Sequence, residues 1–199
     1  MNIGVLASHE GTTLQSLLDA CADGRIRARV AVVISNNSDA GALRRARAAG
    51  VRTVHLSAKT HADPAALDAA IRDELSAADV DVVFLAGYMK KLGPLVLGAF
   101  RGRILNTHPA LLPRFGGAGM YGDRVFEAVL AAGEQESGIS IHLVEADYDT
   151  GAVVRQCRVP VLPGDSVDDL KSRVRACEKE FVVETLGQIA AGVIRLPSS

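Results

Sequence analysis

The first hundred residues repeat one pattern: a short apolar run, a polar turn, then a segment with helical spacing of apolar residues. The apolar runs occupy residues 3–7, 29–34, 51–56, 81–86 and 103–105, and the helical patterns cover 14–21, 38–49, 64–77 and 94–99. Runs this short and this uniformly apolar belong to strands buried on both faces, and the helices between them are the crossovers that parallel neighbours require. The pattern predicts an α/β chain of three layers with a mostly parallel central sheet, Rossmann-like in its N-terminal half. At 199 residues and 48% hydrophobic content, one domain over residues 1–199 is the expected organisation. Ligands of such sheets bind beyond the carboxyl ends of the strands. The residues that follow each apolar run are therefore the ones to read for chemistry.

After the first run comes Ser8-His9-Glu10-Gly11-Thr12-Thr13, and then a helix. The free N–H groups of Gly11, Thr12 and Thr13 would point out of a helix N-terminus, with the helix dipole behind them, and could bind a phosphate. Equally, Thr12 or Thr13 could be a simple N-cap, because the stretch fits neither GxGxxG nor the P-loop pattern. His9 is expected to lie exposed on this turn. The fifth run ends in Asn106-Thr107-His108-Pro109. Side chains two apart in an extended chain share a side, so Asn106 and His108 can face one pocket. Pro109 stops further pairing and biases His108 towards extended backbone. An amide donor beside a titratable ring suits a carbonyl that becomes an oxyanion. The plainer alternative has Asn106 capping a turn and His108 as an incidental loop residue.

Beyond Pro113 the pattern changes. Residues 114–122 contain four glycines and read as a mobile loop or lid. A helix over 123–132 follows, then an alternating strand over 138–144 with Ser140 and His142 on its polar face, where His142 is expected to be a packed sheet residue rather than a base. Residues 145–151 make an acidic turn without EF-hand spacing, which argues against a metal. A strand over 152–157 leads to a long amphipathic helix over 167–191, on which Arg175 and Glu178 are neighbours. Net charge is −1 from 22 basic and 23 acidic residues, so composition supplies no case for a nucleic-acid partner. Three cysteines without CxxC spacing are expected to be unpaired thiols in a reducing compartment, with no structural zinc. With no basic n-region at the start and no apolar run long enough to span a membrane, a cytoplasmic protein is expected.

Taken together these stretches resemble the glycinamide ribonucleotide formyltransferases, the folate-dependent enzymes of purine biosynthesis. The similarity spans nearly the whole chain. It rests on SHEGTTLQ at 8–15, SNNSDAGALRRARAAG at 35–50, LAGYMK at 85–90, NTHPALLP at 106–113 and YDTG at 148–151. The NxHP…LLP element with a downstream DxG marks the formyltransferase superfamily, and the SNxxDAxAL stretch points to the glycinamide ribonucleotide branch.

The resemblance implies a formyltransferase fold, with residues 1–100 binding the nucleotide phosphate and 101–199 forming the folate and catalytic half. It implies transfer of the formyl group of 10-formyltetrahydrofolate, a cosubstrate, to the amine of glycinamide ribonucleotide without a metal. Asn106, His108 and Asp149 would be catalytic. Gly11, Thr12 and Thr13 would hold the phosphate, with Arg175 and Glu178 near the phosphate and ribose. Met89, Lys90 and Leu92, together with Asn106, would line the folate site. Partners would be small molecules, with no nucleic acid or membrane, and the protein a monomer or homodimer. Rivals are a formyltetrahydrofolate hydrolase, a formyltransferase acting on aminoacyl-tRNA or nucleotide sugars, and a non-catalytic nucleotide-binding module. Three positions depart from the family pattern: Thr12-Thr13 replaces the frequent Ser-Asn, Phe126 stands where many relatives place a histidine beside the cleft, and Glu10 brings a negative charge next to the phosphate turn.

Overall fold

The computed structural model describes residues 1–197. Strands β1 (Asn2–Ala7), β2 (Arg29–Ser35), β3 (Arg52–His55), β4 (Val82–Leu85) and β5 (Ile104–His108) pair in parallel, while β6 (Glu136–Leu143) is antiparallel to β5 and β7 (Val153–Pro160) antiparallel to β6. They form one seven-stranded sheet in the order β3-β2-β1-β4-β5-β6-β7. Strand order reverses between β1 and β4, which places a crevice at their carboxyl ends.

Alternation along the strands builds a core on each face. Ile3, Val5, Phe84 and Leu105 point to one side and meet Leu14 and Leu17 of α1 (Thr12–Ala22), Leu43 of α2 (Gly41–Ala48), Phe126 of α5 (Asp123–Ala131), and Leu170 and Phe181 of α6 (Val167–Ala190). Leu6, Val83, Leu85 and Ile104 point to the other and meet Ile71 and Leu75 of α3 (Pro64–Ala77) and Val96 of α4 (Pro94–Ala99). Each fully buried side chain of this size contributes about 1.5–3 kcal/mol. The expected three layers are therefore present.

Local chemistry sets the helix starts. Asp63 accepts from the Ala65 and Ala66 N–H groups with Pro64 in the first turn of α3, and Ser166 and Asp169 form a reciprocal capping box on α6. The buried carboxylate of Asp68 accepts from Leu95 N at 2.7 Å and Val96 N at 3.3 Å, so α3 caps α4 from outside.

Besides β6 starting at Glu136 and β7 running on to Pro160, the structure departs from the sequence reading in four places. Helix α2 starts at Gly41 rather than Ser38, because the Asn37 side chain accepts from Asp39 N in an Asx turn. Strand β5 continues to His108 instead of ending at Leu105, since β6 supplies partners for polar residues that an apolar run does not reveal: Asn106 faces His142 and His108 faces Ser140. Phe126 does not stand beside a cleft. It lies within α5 and is 3% exposed, beside Val125 and Val129 on the buried face of that helix. Finally, Cys157 on β7 and Cys177 on α6 are joined in a disulfide, not separate thiols, with Cα atoms 7.5 Å apart, wider than the roughly 4.4–6.8 Å usual for such a bond. The pairing follows from α6 crossing β7, a contact that residue spacing does not report. No helix among the described residues is long and apolar enough to cross a membrane.

Candidate active site

At the end of β1 the chain turns through Gly11, whose φ of 68° is the left-handed conformation that favours glycine. A Cβ at this position would stand 2.8 Å from the Ala42 Cα, so α2 packs directly on the turn. Gly11 is itself the N-cap of α1, and no side chain caps the helix. That decides between the two readings of Thr12 and Thr13: neither is the cap, and the first-turn N–H groups are unused by the helix. Glu10 does not spoil this positive end. Its side chain lies over the start of α2, 3.4 Å from Arg44 Nη2, and its carbonyl accepts from Arg45 Nε at 2.8 Å. Buried Ser8 ties the neighbouring strand ends together, donating to Asn36 Oδ1 at 2.5 Å and accepting from Met89 N at 2.8 Å.

Across the crevice, β5 presents Asn106, Thr107 and His108. The His108 ring is 4% exposed, and its Nε2 donates to the Phe115 carbonyl at 2.7 Å. A carbonyl only accepts, so Nε2 carries the hydrogen and Nδ1 is the working nitrogen. Asp149 Oδ2 stands 3.4 Å from that Nδ1 and accepts from Gly117 N at 2.9 Å. Its other oxygen lies 3.4 Å from His142 Nε2. Asp149 has φ 56°, an uncommon conformation for a residue with a side chain, and the surrounding contacts hold the carboxylate between two imidazoles. The turn after β5 is braced from below: Ser140 Oγ donates to Ala110 O at 2.7 Å and accepts from Leu112 N at 2.9 Å and Gln156 Nε2 at 2.8 Å.

Burial pushes the His108 pKa below that of a free imidazole, more strongly than Asp149 and the Phe115 carbonyl pull it up. The ring is then neutral at rest and can take up a proton as negative charge develops beside it. For Asp149 burial acts upward, but the His142 imidazole, the Gly117 N–H and the neighbouring His108 ring outweigh it and leave the carboxyl below its ordinary value. Glu178 on α6 accepts from Thr107 Oγ1 at 2.9 Å. Burial raises its pKa, against the Thr107 hydroxyl and the nearby charge of Arg175.

A cleft of about 500 Å³ is lined by Met89, Lys90, Asn106, His108, Tyr121 and Asp149 among others, while Gly11, Thr12 and Thr13 lie outside its lining. Leu92 is not on it. That side chain is 7% exposed and borders a smaller adjoining pocket with Asn106, His142 and Tyr148. A larger cavity, about 570 Å³, also borders residues 88 and 90–92 and touches none of Asn106, His108 and Asp149. Arg175 is exposed and its side chain makes no hydrogen bond among the described residues, and Glu178 reaches the cleft only through Thr107. His142 and Ser140 are the residues that sequence reading undervalued. The available signal was two polar side chains spaced by two on a strand that is otherwise apolar.

A profile of the formyl transferase family matches residues 1–186 of the chain. Phosphoribosylglycinamide formyltransferase of Haemophilus influenzae is 39% identical over 194 residues, covering 98% of this chain and 89% of that protein. The crystal structure of glycinamide ribonucleotide transformylase 1 from Symbiobacterium toebii superposes with a TM-score of 0.89 at 44% identity, covering 96% of this chain and 88% of the other. A formyltetrahydrofolate deformylase from Pseudomonas syringae is more distant, at 25% identity and a TM-score of 0.82, with this chain spanning 61% of its length. With a sheet order, a cleft and a sequence match that extend together over almost its full length, this chain belongs to the formyl transferase family.

Proposed function

We propose that this chain transfers the formyl group of 10-formyltetrahydrofolate to the primary amine of glycinamide ribonucleotide, a step of purine biosynthesis. The observation that carries the reading is the convergence of Asn106, His108 and Asp149 on one wall of a cleft that also borders Met89 and Lys90. The amine nitrogen attacks the formyl carbon, and the carbonyl electron pair moves onto oxygen. An Asn106 N–H stabilises that oxygen, a fixed donor being worth about 3 kcal/mol in a dry site, and His108 adds a second donor once Nδ1 is protonated, the proton coming from the attacking amine through Asp149 or water. Asp149, held below its ordinary pKa and therefore ionised, orients His108 and accepts the amine proton directly or through water. Collapse re-forms the carbonyl, breaks the bond to the folate nitrogen and returns a proton to that nitrogen.

In this reading residues 1–100 supply the phosphate site at Gly11, Thr12 and Thr13, and the rest of the chain supplies the catalytic groups. Glu178, fixed by Thr107, would receive ribose hydroxyls and Arg175 would sit near the phosphate. Lys90 and Leu92 would border the pterin from two adjoining pockets. The protein would act on small molecules in the cytoplasm as a monomer or homodimer. The test is to mix the protein with 10-formyltetrahydrofolate and glycinamide ribonucleotide and follow folate absorbance. Deformylation that proceeds equally well without the nucleotide would overturn the transferase reading in favour of hydrolysis.

A further inference from the structure

We infer that His142 is a positioning residue for formyl transfer: it sets the rotation of the Asn106 amide so that an N–H, not the carbonyl oxygen, is presented to the reacting formyl group. The inference rests on the functional reading above and adds a residue to it.

His142 lies opposite Asn106 in the β5–β6 ladder and is 2% exposed. Its Nδ1 is 2.8 Å from the Leu143 carbonyl, and its Nε2 is 3.1 Å from Asn106 Nδ2. Both contacts require the same tautomer. The carbonyl can only accept, so Nδ1 carries the hydrogen. An amide nitrogen can only donate, so Nε2 offers its lone pair to Asn106. A flip of the Asn106 amide would set Oδ1 against that lone pair, acceptor against acceptor. The amide is thereby held with nitrogen towards His142, one N–H engaged and the second free. Among the described residues His142 is the only hydrogen-bond partner of this amide. Asp149 Oδ1, 3.4 Å from the same Nε2, is the other group facing that nitrogen but makes no hydrogen bond with it, and the carboxylate is instead held through its second oxygen by Gly117 N beside His108. Without His142 the amide could present Oδ1 to the formyl oxygen and repel the charge that forms there.

The experiment is a double-mutant cycle on the full chain, with kcat and both KM values measured. Asn106→Ala is expected to lower kcat about 10²–10³-fold, as loss of one oxyanion donor does. His142→Ala is expected to lower it about 10–100-fold with both KM values within about twofold, since the amide loses its orientation but not its presence. The double variant should be within about twofold of Asn106→Ala, because His142 then has nothing left to position. Additive penalties, with the double variant slower by the product of the two factors, would overturn the inference. His142→Gln, which retains an acceptor, should recover part of the loss. If His142→Ala no longer melts cooperatively, His142→Leu replaces it in the cycle, keeping bulk without an acceptor. Nitrogen-15 spectra of the His142 ring should show the Nδ1-protonated tautomer, and a hydrogen on Nε2 would also count decisively against the proposal. An inactive wild-type chain would bring down the functional reading and this inference with it. An active wild type with additive penalties would bring down the inference alone.

Discussion

The proposed phosphate turn and the proposed catalytic wall stand on the same sheet edge but are built from different material. At the turn, the proposed donors are backbone N–H groups at the start of α1, where the N-cap Gly11 has no side chain to cap the helix. At the wall, the proposed working groups are side chains: Asn106 and His108 from β5, and Asp149 from a loop after β6, fixed by Gly117 N and flanked by two imidazoles. A backbone site depends on the path of the chain and tolerates changed side chains. A side-chain site depends on each functional group and on the contacts that aim it. The contrast explains how Thr12-Thr13 can replace another dipeptide at the turn.

The largest expected effect is at the wall. Asp149→Asn keeps the shape and accepts a left-handed backbone, as asparagine readily does, but removes the charge. We expect kcat to fall about 10³-fold, by loss of proton transfer and of His108 orientation, while the thermal midpoint moves by only a few degrees. Steady-state kinetics beside a melting curve checks both. A large loss of fold stability with intact turnover in the surviving fraction would make Asp149 structural.

At the turn the damaging change is to the chain path. Gly11→Ala would place a Cβ 2.8 Å from Ala42 at φ 68°. Left-handed strain and overpacking together cost about 2–3 kcal/mol, readable as a lowered denaturation midpoint. Thr13→Asp leaves the path alone and adds negative charge at the proposed anion site. It should raise KM for glycinamide ribonucleotide about tenfold, equivalent to about 1.4 kcal/mol, with KM for the folate unchanged. An unchanged nucleotide KM would remove the phosphate from this turn.

The two sites also differed in how far the sequence revealed them. Apolar runs located the five parallel strands, because burial on both faces leaves a plain signature. The same logic placed Gly11, Asn106 and His108 on one edge, since each follows such a run. Where side chains from distant segments meet, that logic stops. His142 is 36 residues from Asn106, and only the antiparallel register of β6 brings them opposite. Asp149 entered through resemblance alone, because its position depends on a left-handed turn that asparagine, glycine or aspartate could each occupy. The Cys157–Cys177 pair and the inward face of Phe126 depend likewise on how helices cross the sheet.

Acidity offers a finer probe of the wall. Because burial sets the His108 pKa below the roughly 6.5 of free imidazole, the acid limb of kcat/KM should turn at an apparent pKa below that value, with activity rising as pH increases. Asp149 pulls the pKa up, so in Asp149→Asn the residual activity should turn at still lower pH. A shift upward would mean that the limb belongs to another group. Stability follows the same sign. The unfolded chain binds this proton first, so the contribution is present above about pH 6.5 and is lost as pH falls through the folded value.

The smallest expected effect is the sharpest test of the comparison. Replacing both Thr12 and Thr13 by alanine removes two hydroxyls and leaves every N–H of the first turn in place. Gly11 remains the N-cap, so the helix start loses no side-chain hydrogen bond. Alanine also has the higher helix propensity, by a few tenths of a kcal/mol per residue. The nucleotide KM should therefore change by less than about threefold, and the thermal midpoint should hold or rise slightly. A rise of tenfold or more would show that the hydroxyls bind the phosphate. The turn would then be a side-chain site like the wall, and tolerance at these two positions would need another cause.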